Sequence, residues 1–258
     1  MMLKLMTLIL ALAFSALAGP ITKLPAELPV TVLEGSSPNP ATLELSQASE
    51  KLLLYRSRLG ENGTHALVAA DLVAADAYWH KTIADSKGGF VGAMVRARAY
   101  APHAVLNATA VGQVLFDVAD VGWRDNFLSA TPEHYLASRR PDASHDNLAA
   151  DVAERWGPSP ITYFHAIPVS KLSFMPALHE FPVELQMPLG LALSDDTVFA
   201  YTLTALRDLP GGHSIELVEG LWLPDSTPGD IVKAVRAHNT VEYTNWLKLA
   251  YKAAMAAL

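Results

Sequence analysis

Hydrophobic side chains recur at steps of three and four in the N-terminal third of the chain. The first such series stops at Gly60 and consists of Leu45, Ala48, Leu52, Tyr55 and Leu59. This spacing predicts an amphipathic helix. A second helix is predicted from Thr64, acting as its N-cap, to Ile83. Because that segment is apolar around most of its circumference, we expect it to be buried against other elements.

The middle of the chain carries weaker patterns. The segment 90–100 is predicted to be a strand and 103–110 another. Residues 129–147 contain several charged residues and prolines, which favours an exposed excursion. A short helix over 148–156 is then predicted, because Leu148, Val152 and Trp156 follow each other at steps of four.

After residue 160 the hydrophobic period changes from about 3.6 to 2. Alternating apolar residues predict strands over 183–193, 199–205 and 215–223, with a further one or two over 161–174. The connections are too short for parallel crossovers, so these strands are predicted to form an antiparallel meander.

A long C-terminal helix is the clearest predicted element. Ser226 or Thr227 is its expected cap, Pro228 stands where a missing N–H costs nothing, and Asp230 complements the helix dipole. No breaker follows before Ala256. The order of helices and strands predicts an α+β fold in which a curved antiparallel sheet packs on this helix, with extra N-terminal helices.

The N-terminus has the pattern of an export signal. One positive charge, an apolar run and a small-residue site predict a signal peptide over 1–18. A proline-rich extended arm is predicted over 19–41 and a single α+β domain over 42–258. The expected location is therefore secreted or within the secretory pathway, or periplasmic in a bacterium.

Composition removes several classes of function. The net charge is −7 without a basic stripe, which argues against a nucleic-acid partner. The chain has no cysteine, which excludes thiol nucleophiles, zinc–thiolate sites and iron–sulfur clusters. After signal removal, no apolar run is long enough to span a membrane. Two sequons mark possible glycosylation at Asn62 and Asn107; oligomeric state is left open.

The order of elements, and the segment Leu223–Pro228 (LPDSTP) before the last helix, resemble those of the START superfamily of helix-grip proteins. The resemblance covers about residues 90–256. It implies an internal apolar cavity between the sheet and the C-terminal helix, of the kind found in lipid-transfer domains, plant allergens and polyketide cyclases.

One polar cluster on the C-terminal helix is the best candidate for chemistry. At 100° per residue, Glu242 falls in the middle of an apolar face that includes Trp246, and His238 and Asn239 flank it. A carboxylate on such a face needs a partner or a polar cavity, so Glu242 and His238 are candidate acid–base residues, with Asn239 and Trp246 contacting a ligand. The alternative is a structural carboxylate that meets solvent or Arg207.

Other candidates are more dispersed. His179 precedes a predicted strand and is a candidate general base, with a solvated loop as the alternative. The aromatic side chains of Phe199, Tyr201 and Trp222 suit either a cavity wall or an ordinary core. His134 and His145 are the residues closest to a metal-binding pattern, but we predict no metal and no cofactor.

Three functions are compatible with these patterns. The first is a secreted domain that binds a small apolar or aromatic molecule in an internal cavity. The second is a cofactor-independent enzyme of the cyclase, dehydratase or decarboxylase type, using histidine and glutamate. The third is a surface protein that interacts through the segment 129–147. The usual hydrolase, metalloprotease and nucleotide-binding motifs are absent from the sequence.

Overall fold

The structure is a computed structural model that describes residues 30–34, 43–100, 106–116, 122–139, 150–212 and 214–256. The predicted signal peptide over 1–18 lies outside these residues, so export stays a prediction. The predicted arm over 19–41 contains one strand, β1.

Eight strands form one antiparallel sheet in the described part of the chain. Their spatial order is β1-β2-β8-β7-β6-β5-β4-β3. The strands are β1 (Val30–Glu34), β2 (Phe90–Tyr100), β3 (His134–Arg139), β4 (Ala150–Glu154), β5 (Thr162–Pro168), β6 (Gln186–Ala192), β7 (Val198–Asp208) and β8 (Ser214–Pro224). Almost every residue of β8 is buried, because it pairs along most of its length with both β2 and β7.

Within the described residues, four α-helices accompany the sheet: α1 (Leu43–Asp85), α2 (Ala108–Phe116), α3 (Trp123–Ala130) and α4 (Gly229–Ala256). The inner face of the curved sheet packs against α4, and α2 and α3 also pack against that helix. This arrangement confirms the predicted helix-grip α+β fold. Among the described helices, none combines the length and apolarity that a membrane crossing requires.

The outer face of the sheet has its own small core. Met175, Leu178 and Phe181, from the segment between β5 and β6, pack there against side chains that include Trp222. We call this group the outer cluster. Apolar side chains therefore cover both faces of the sheet, and the two cores are separated by the strands themselves.

Three elements of the middle region differ from their predictions. Residues 148–156 contain strand β4 instead of a helix, and the part of 129–147 that is described contains the buried strand β3. The predicted strand over 103–110 is wrong at its end, because α2 begins at Ala108. Pairing of β4 with both β3 and β5 explains the first two differences, since hydrogen bonds from distant segments outweigh a four-residue spacing.

The N-terminal helical region was predicted as two helices, and α1 does contain a break at Gly60, where φ is 65° and ψ is −178°. The hydroxyl of Thr64 donates to the Gly60 carbonyl at 2.9 Å, so Thr64 is not the predicted N-cap. The expected burial of this region is only partly observed: Trp79 is fully buried, whereas Leu67 and Val73 are largely exposed.

A glycine fixes the loop after β4 against the C-terminal helix. Gly157 has φ of 56°, and an added Cβ would lie 2.5 Å from the Cβ of Ala234. We expect Gly157→Ala to lower the free energy of unfolding by about 2–4 kcal/mol, through backbone strain and the steric clash. Gly212→Ala is the matched control: its φ is 69°, nothing lies within 4 Å of the added Cβ, and the expected cost is only ~1 kcal/mol. Urea unfolding measures both; equal losses would contradict the clash.

Candidate functional site

A cavity of about 150 Å³ lies between the inner face of the sheet and α4. Most of its wall is apolar or aromatic. Representative lining residues are Leu115, Phe127, Trp156, Phe164, Leu191 and Trp246. The cavity implied by the helix-grip arrangement is therefore present between the elements where it was expected.

The polar part of the wall is unusually acidic. Three carboxyl groups line the cavity, those of Glu154, Glu219 and Glu242, together with Asn239 and Tyr243. The three glutamates are 7%, 2% and 8% exposed, respectively. Buried carboxyl groups in an apolar wall require partners, and each of the three has them.

Strand register and helix spacing bring the acidic residues together with two histidines. His134 is paired with Glu154 across β3 and β4. His238 and Glu242 lie one turn apart on α4, a spacing that puts them on one face of the helix. The two imidazole rings have their centroids 5.2 Å apart.

The distances within this group are nearly uniform. His134 Nε2 lies 3.5 Å from Glu154 Oε1 and 3.5 Å from Glu242 Oε1. His238 Nε2 lies 3.5 Å from Glu154 Oε2 and 3.4 Å from Glu242 Oε2. Each carboxylate therefore spans both imidazoles, and each imidazole faces both carboxylates. We call these four residues the His–Glu cluster.

The second nitrogen of each histidine is already occupied. His134 Nδ1 lies 2.6 Å from the carbonyl oxygen of Phe127. The His134 ring also stacks on the Phe127 ring. His238 Nδ1 lies 2.9 Å from Glu133 Oε2. The Nε2 atoms of both rings are buried without a hydrogen-bond partner. The cluster thus contains two nitrogens that point at carboxylates without reaching hydrogen-bond distance.

Burial and neighbouring charges shift the pKa values of the two imidazoles in opposite directions. Burial lowers the pKa of His134 to about 3, and the attraction of Glu242 only partly offsets it. Burial would also lower the pKa of His238, but the carboxylates of Glu133 and Glu242 raise it to about 10. Burial would raise the pKa of Glu242, yet the two imidazoles and the Trp246 N–H, 3.2 Å from its Oε1, lower it below the usual range.

The other two carboxyl groups are shifted toward their neutral forms. Burial, with the nearby charge of Glu242, raises the pKa of Glu154 to about 8. Burial raises the pKa of Glu219 to about 8 as well, although the hydroxyls of Thr202 and Thr204 donate hydrogen bonds to it. The cavity therefore presents ionised and protonated carboxyl groups side by side at neutral pH, an arrangement capable of proton transfer.

The structure brings four sequence-predicted residues together. Glu242, Asn239 and Trp246 line the cavity, and His238 lies directly behind Glu242. The alternative prediction, that Glu242 pairs with Arg207, is wrong, because the Arg207 guanidinium pairs with Glu216 on the outer face of the sheet.

Four other predicted residues lie elsewhere. Tyr201 and Trp222 belong to the outer cluster, on the far side of the sheet from α4. Phe199 falls at a register shift between β6 and β7 and packs on Trp156 behind the cavity wall. His179 is exposed in the turn before Phe181. These placements correct the expectation that the four side chains face the cavity.

Sequence reasoning missed Glu154 and Glu219 as site residues, and it considered His134 only together with His145, as a weak metal-binding pattern for which no metal was predicted. A signal was available for the two glutamates. Each alternates with buried apolar residues on the cavity side of its strand, Glu154 with Ala150 and Val152 and Glu219 with Leu217 and Leu221. An acid in such a series is as unusual as Glu242 on its helix. His134 had no comparable signal, because it follows Pro132 and Glu133 in a segment that resembles a loop.

The sequons remain predictions. Asn62 and Asn107 are both exposed. The Asn107 side-chain oxygen accepts a hydrogen bond from the backbone N–H of Ala110 at 2.8 Å, and so caps α2.

Comparisons with known proteins add little to this description. No protein-family model matches the chain, and no curated protein matches its sequence. The chain in the crystal structure of Ara h 8.0201 has 7% sequence identity to this chain and a TM-score of 0.38, and the match covers 65% of this chain and 99% of Ara h 8.0201. An uncharacterized protein from Rhizobium leguminosarum is 11% identical, with a TM-score of 0.35 over 64% and 97% of the two chains. The fold assignment therefore rests on the strands and helices themselves.

Proposed function

We propose that the protein binds a small, mostly apolar molecule in the cavity between the sheet and α4. The observation that carries this proposal is an apolar cavity whose polar groups are gathered on one part of its wall. Such a combination favours ligands that bury a ring or a short chain and orient one polar group. It is also the function that the START resemblance implies, and membership of that superfamily stays a prediction.

The volume sets the size of the ligand. A closed apolar cavity of about 150 Å³ takes up a molecule of benzene size, whereas drug-sized ligands occupy about 300–1,000 Å³. The volume of the observed cavity is about 150 Å³, which is the benzene-sized value. A single-ring compound therefore fits within the cavity, and a larger molecule would have to extend through its open side.

The carboxyl groups determine which charge a ligand in the cavity can carry. Glu242 is held in its ionised form, and Glu154 and Glu219 lie on the same wall. No arginine or lysine lines this cavity within the described residues. An anionic ligand would therefore meet repulsion in a low-dielectric site, whereas an amine or a hydroxyl could donate to the carboxylate.

We expect benzylamine or phenol to bind at least ~10-fold more tightly than benzoate, because only benzoate brings a like charge to Glu242; tenfold corresponds to ~1.4 kcal/mol. Ala166→Phe should remove this binding, since Ala166 lines the cavity and a phenyl ring would fill most of it. Ligand-observed NMR, with titration calorimetry where affinity allows, measures the series on the metal-free protein with EDTA present.

Ala177→Phe is the matched control, because Ala177 is exposed in the segment that covers the outer face. It should leave binding unchanged. Benzoate binding as tightly as benzylamine would contradict the role of the carboxyl groups. Full binding by Ala166→Phe would contradict the cavity as the binding site.

A further inference from the structure

We propose that His134 Nε2, His238 Nε2 and the carboxylate of Glu242 bind one divalent transition-metal ion at the polar wall of the cavity. This inference goes beyond ligand binding and does not depend on it. It also departs from the sequence analysis, which predicted no metal. The three donor groups come from β3 and from two successive turns of α4.

The spacing of the donors suits a transition metal. One donor atom from each of the three residues lies within 4.8 Å of the others. His134 Nε2 lies 3.5 Å from Oε1 of Glu242, and His238 Nε2 lies 3.4 Å from Oε2 of the same carboxylate. Ligands placed about 2.0–2.1 Å from a tetrahedral ion are about 3.3–3.5 Å apart. The two nitrogen-to-oxygen separations match that value, with one oxygen of Glu242 facing each histidine, and both are longer than ordinary hydrogen bonds.

The histidines present the nitrogen that a metal needs. The Phe127 carbonyl can only accept a hydrogen bond, so Nδ1 of His134 carries the proton. In a neutral ring the lone pair is then on Nε2, which is buried and has no hydrogen-bond partner. His238 is oriented in the same way, because its Nδ1 bonds to Glu133 at 2.9 Å while its Nε2 is also without a hydrogen-bond partner. Its raised pKa keeps a proton on this ring, which a metal ion would displace. Two buried ring nitrogens therefore face the same carboxylate without a hydrogen bond, which is the arrangement that a bound cation would satisfy.

The surrounding groups resemble the outer shell of a metal site. Histidine ligands commonly donate their other N–H to a carboxylate or a backbone carbonyl, which fixes the ring and makes it a better ligand. Glu133 and the Phe127 carbonyl occupy these two positions. The carboxylate of Glu242 is itself held by the Trp246 N–H at 3.2 Å. Each of the three donors is therefore oriented by a separate contact.

The donor set indicates the class of metal. Two imidazoles and one carboxylate suit Zn²⁺ and neighbouring first-row ions, and three protein ligands leave a position for a further ligand. Glu154 lies 3.5 Å from both Nε2 atoms and lines the cavity together with Glu242. The ion would thus be placed where the polar group of a cavity-bound molecule, or a water held by Glu154, completes its coordination.

The test uses the full chain after removal of metals with EDTA. We expect it to bind one equivalent of Zn²⁺ in competition with a chromophoric chelator. One equivalent of Co²⁺ should produce the visible absorption of a low-symmetry nitrogen–oxygen site. Saturating Zn²⁺ should raise Tm by about 5–10 °C at ~100 Kd. Glu242→Gln, a nearly isosteric change, should weaken Zn²⁺ binding by more than the ~10–100-fold that loss of an outer partner costs.

His165→Asn is the matched control, because His165 is also buried and bonded to a carboxylate, but on β5 next to Asp196. It should change Zn²⁺ affinity by less than about threefold. The proposal is overturned if the wild-type protein binds no Zn²⁺, or if Glu242→Gln and His165→Asn bind it equally well. If Glu242→Gln fails to fold, His238→Asn takes its place in the comparison. Independently of either variant, the proposal is overturned if Co²⁺ added to the wild-type protein does not produce the expected absorption.

Discussion

Replacing Glu219 with Gln is expected to stabilise the protein by about 3–5 kcal/mol at pH 9 and to leave its stability almost unchanged at pH 4. Burial raises the pKa of Glu219 from 4.5 to about 8. Each unit of such a shift corresponds to about 1.4 kcal/mol. The native state therefore favours the protonated acid, which a neutral glutamine replaces with similar shape.

The sign follows from proton linkage. Below pH 4.5 Glu219 is protonated both folded and unfolded, so its stabilising contribution is fully present. Between pH 4.5 and about 8 the unfolded chain releases the proton and the folded chain keeps it, so stability falls as pH rises. Two titratable groups of α4 face Glu219: Tyr243, whose own pKa burial raises, and Glu242, whose negative charge adds to the effect.

Urea unfolding at several pH values between 4 and 9, with EDTA present, checks this prediction. Glu154 retains a similar dependence in the variant, because burial raises its pKa to about 8 as well. Glu61→Gln, at an exposed position, measures the general effect of removing one negative charge. A Glu219→Gln variant that is less stable than wild type at pH 9 would mean that the carboxylate is ionised and satisfied in the native state.

The second large effect is expected at Glu216, on the opposite face of the same strand. Its side chain is inaccessible to solvent and pairs with Arg98 at 2.9 Å and with Arg207, whose Nε lies 2.6 Å away. Glu216→Gln should destabilise the protein by about 2–3 kcal/mol. That is less than the ~3–5 kcal/mol of a fully buried pair, because the arginines are 22–45% exposed and regain water.

Denaturant unfolding at pH 7 measures this loss. Glu180→Gln is the control, because Glu180 contacts Arg96 at the exposed edge of the same group and should contribute less than about 0.5 kcal/mol. The pKa of Glu216 is lowered, since its hydrogen bonds to Arg98 and Arg207 outweigh burial. Its contribution is therefore present above pH 4.5 and lost as pH falls through the folded value, opposite to Glu219. Equal stabilities of the two variants at pH 7 would contradict the prediction.

The sequence predicted best the elements whose signals are local. The C-terminal helix begins at Gly229, with Pro228 just before it and Asp230 in its first turn as expected. The predicted caps are wrong, because the Ser226 hydroxyl donates to the Thr82 carbonyl and the Thr227 hydroxyl has no hydrogen-bond partner among the described residues. The strands β7 and β8 follow a plain alternation. Glu242 could be selected as a candidate because one helix places it among apolar neighbours. The helix-grip fold follows from these elements, since a meander and a long helix have few other ways to bury their apolar faces.

The strands β3 and β4 could not be predicted in the same way. Leu148, Val152 and Trp156 fit a helical step, while Ala150, Val152 and Glu154 fit a strand, and the choice between them is made by pairing with β5. His134 follows Pro132 and Glu133, so its surroundings in sequence resemble a loop. It becomes a core residue through contacts with Phe127, with Glu154 on β4 and with α4, which lies more than one hundred residues further along the chain.

The helix α4 has a consequence for how the chain can vary in length. Three side chains lie on successive turns of this helix: His238 contacts Glu133, Glu242 contacts His134, and Trp246 contacts Glu242. A single residue added or removed between Gly229 and His238 would turn all three side chains by about 100° about the helix axis. Insertions and deletions there would therefore dismantle the cavity wall as a unit, whereas the exposed turn at Gly211 and Gly212 leaves space for a longer connection.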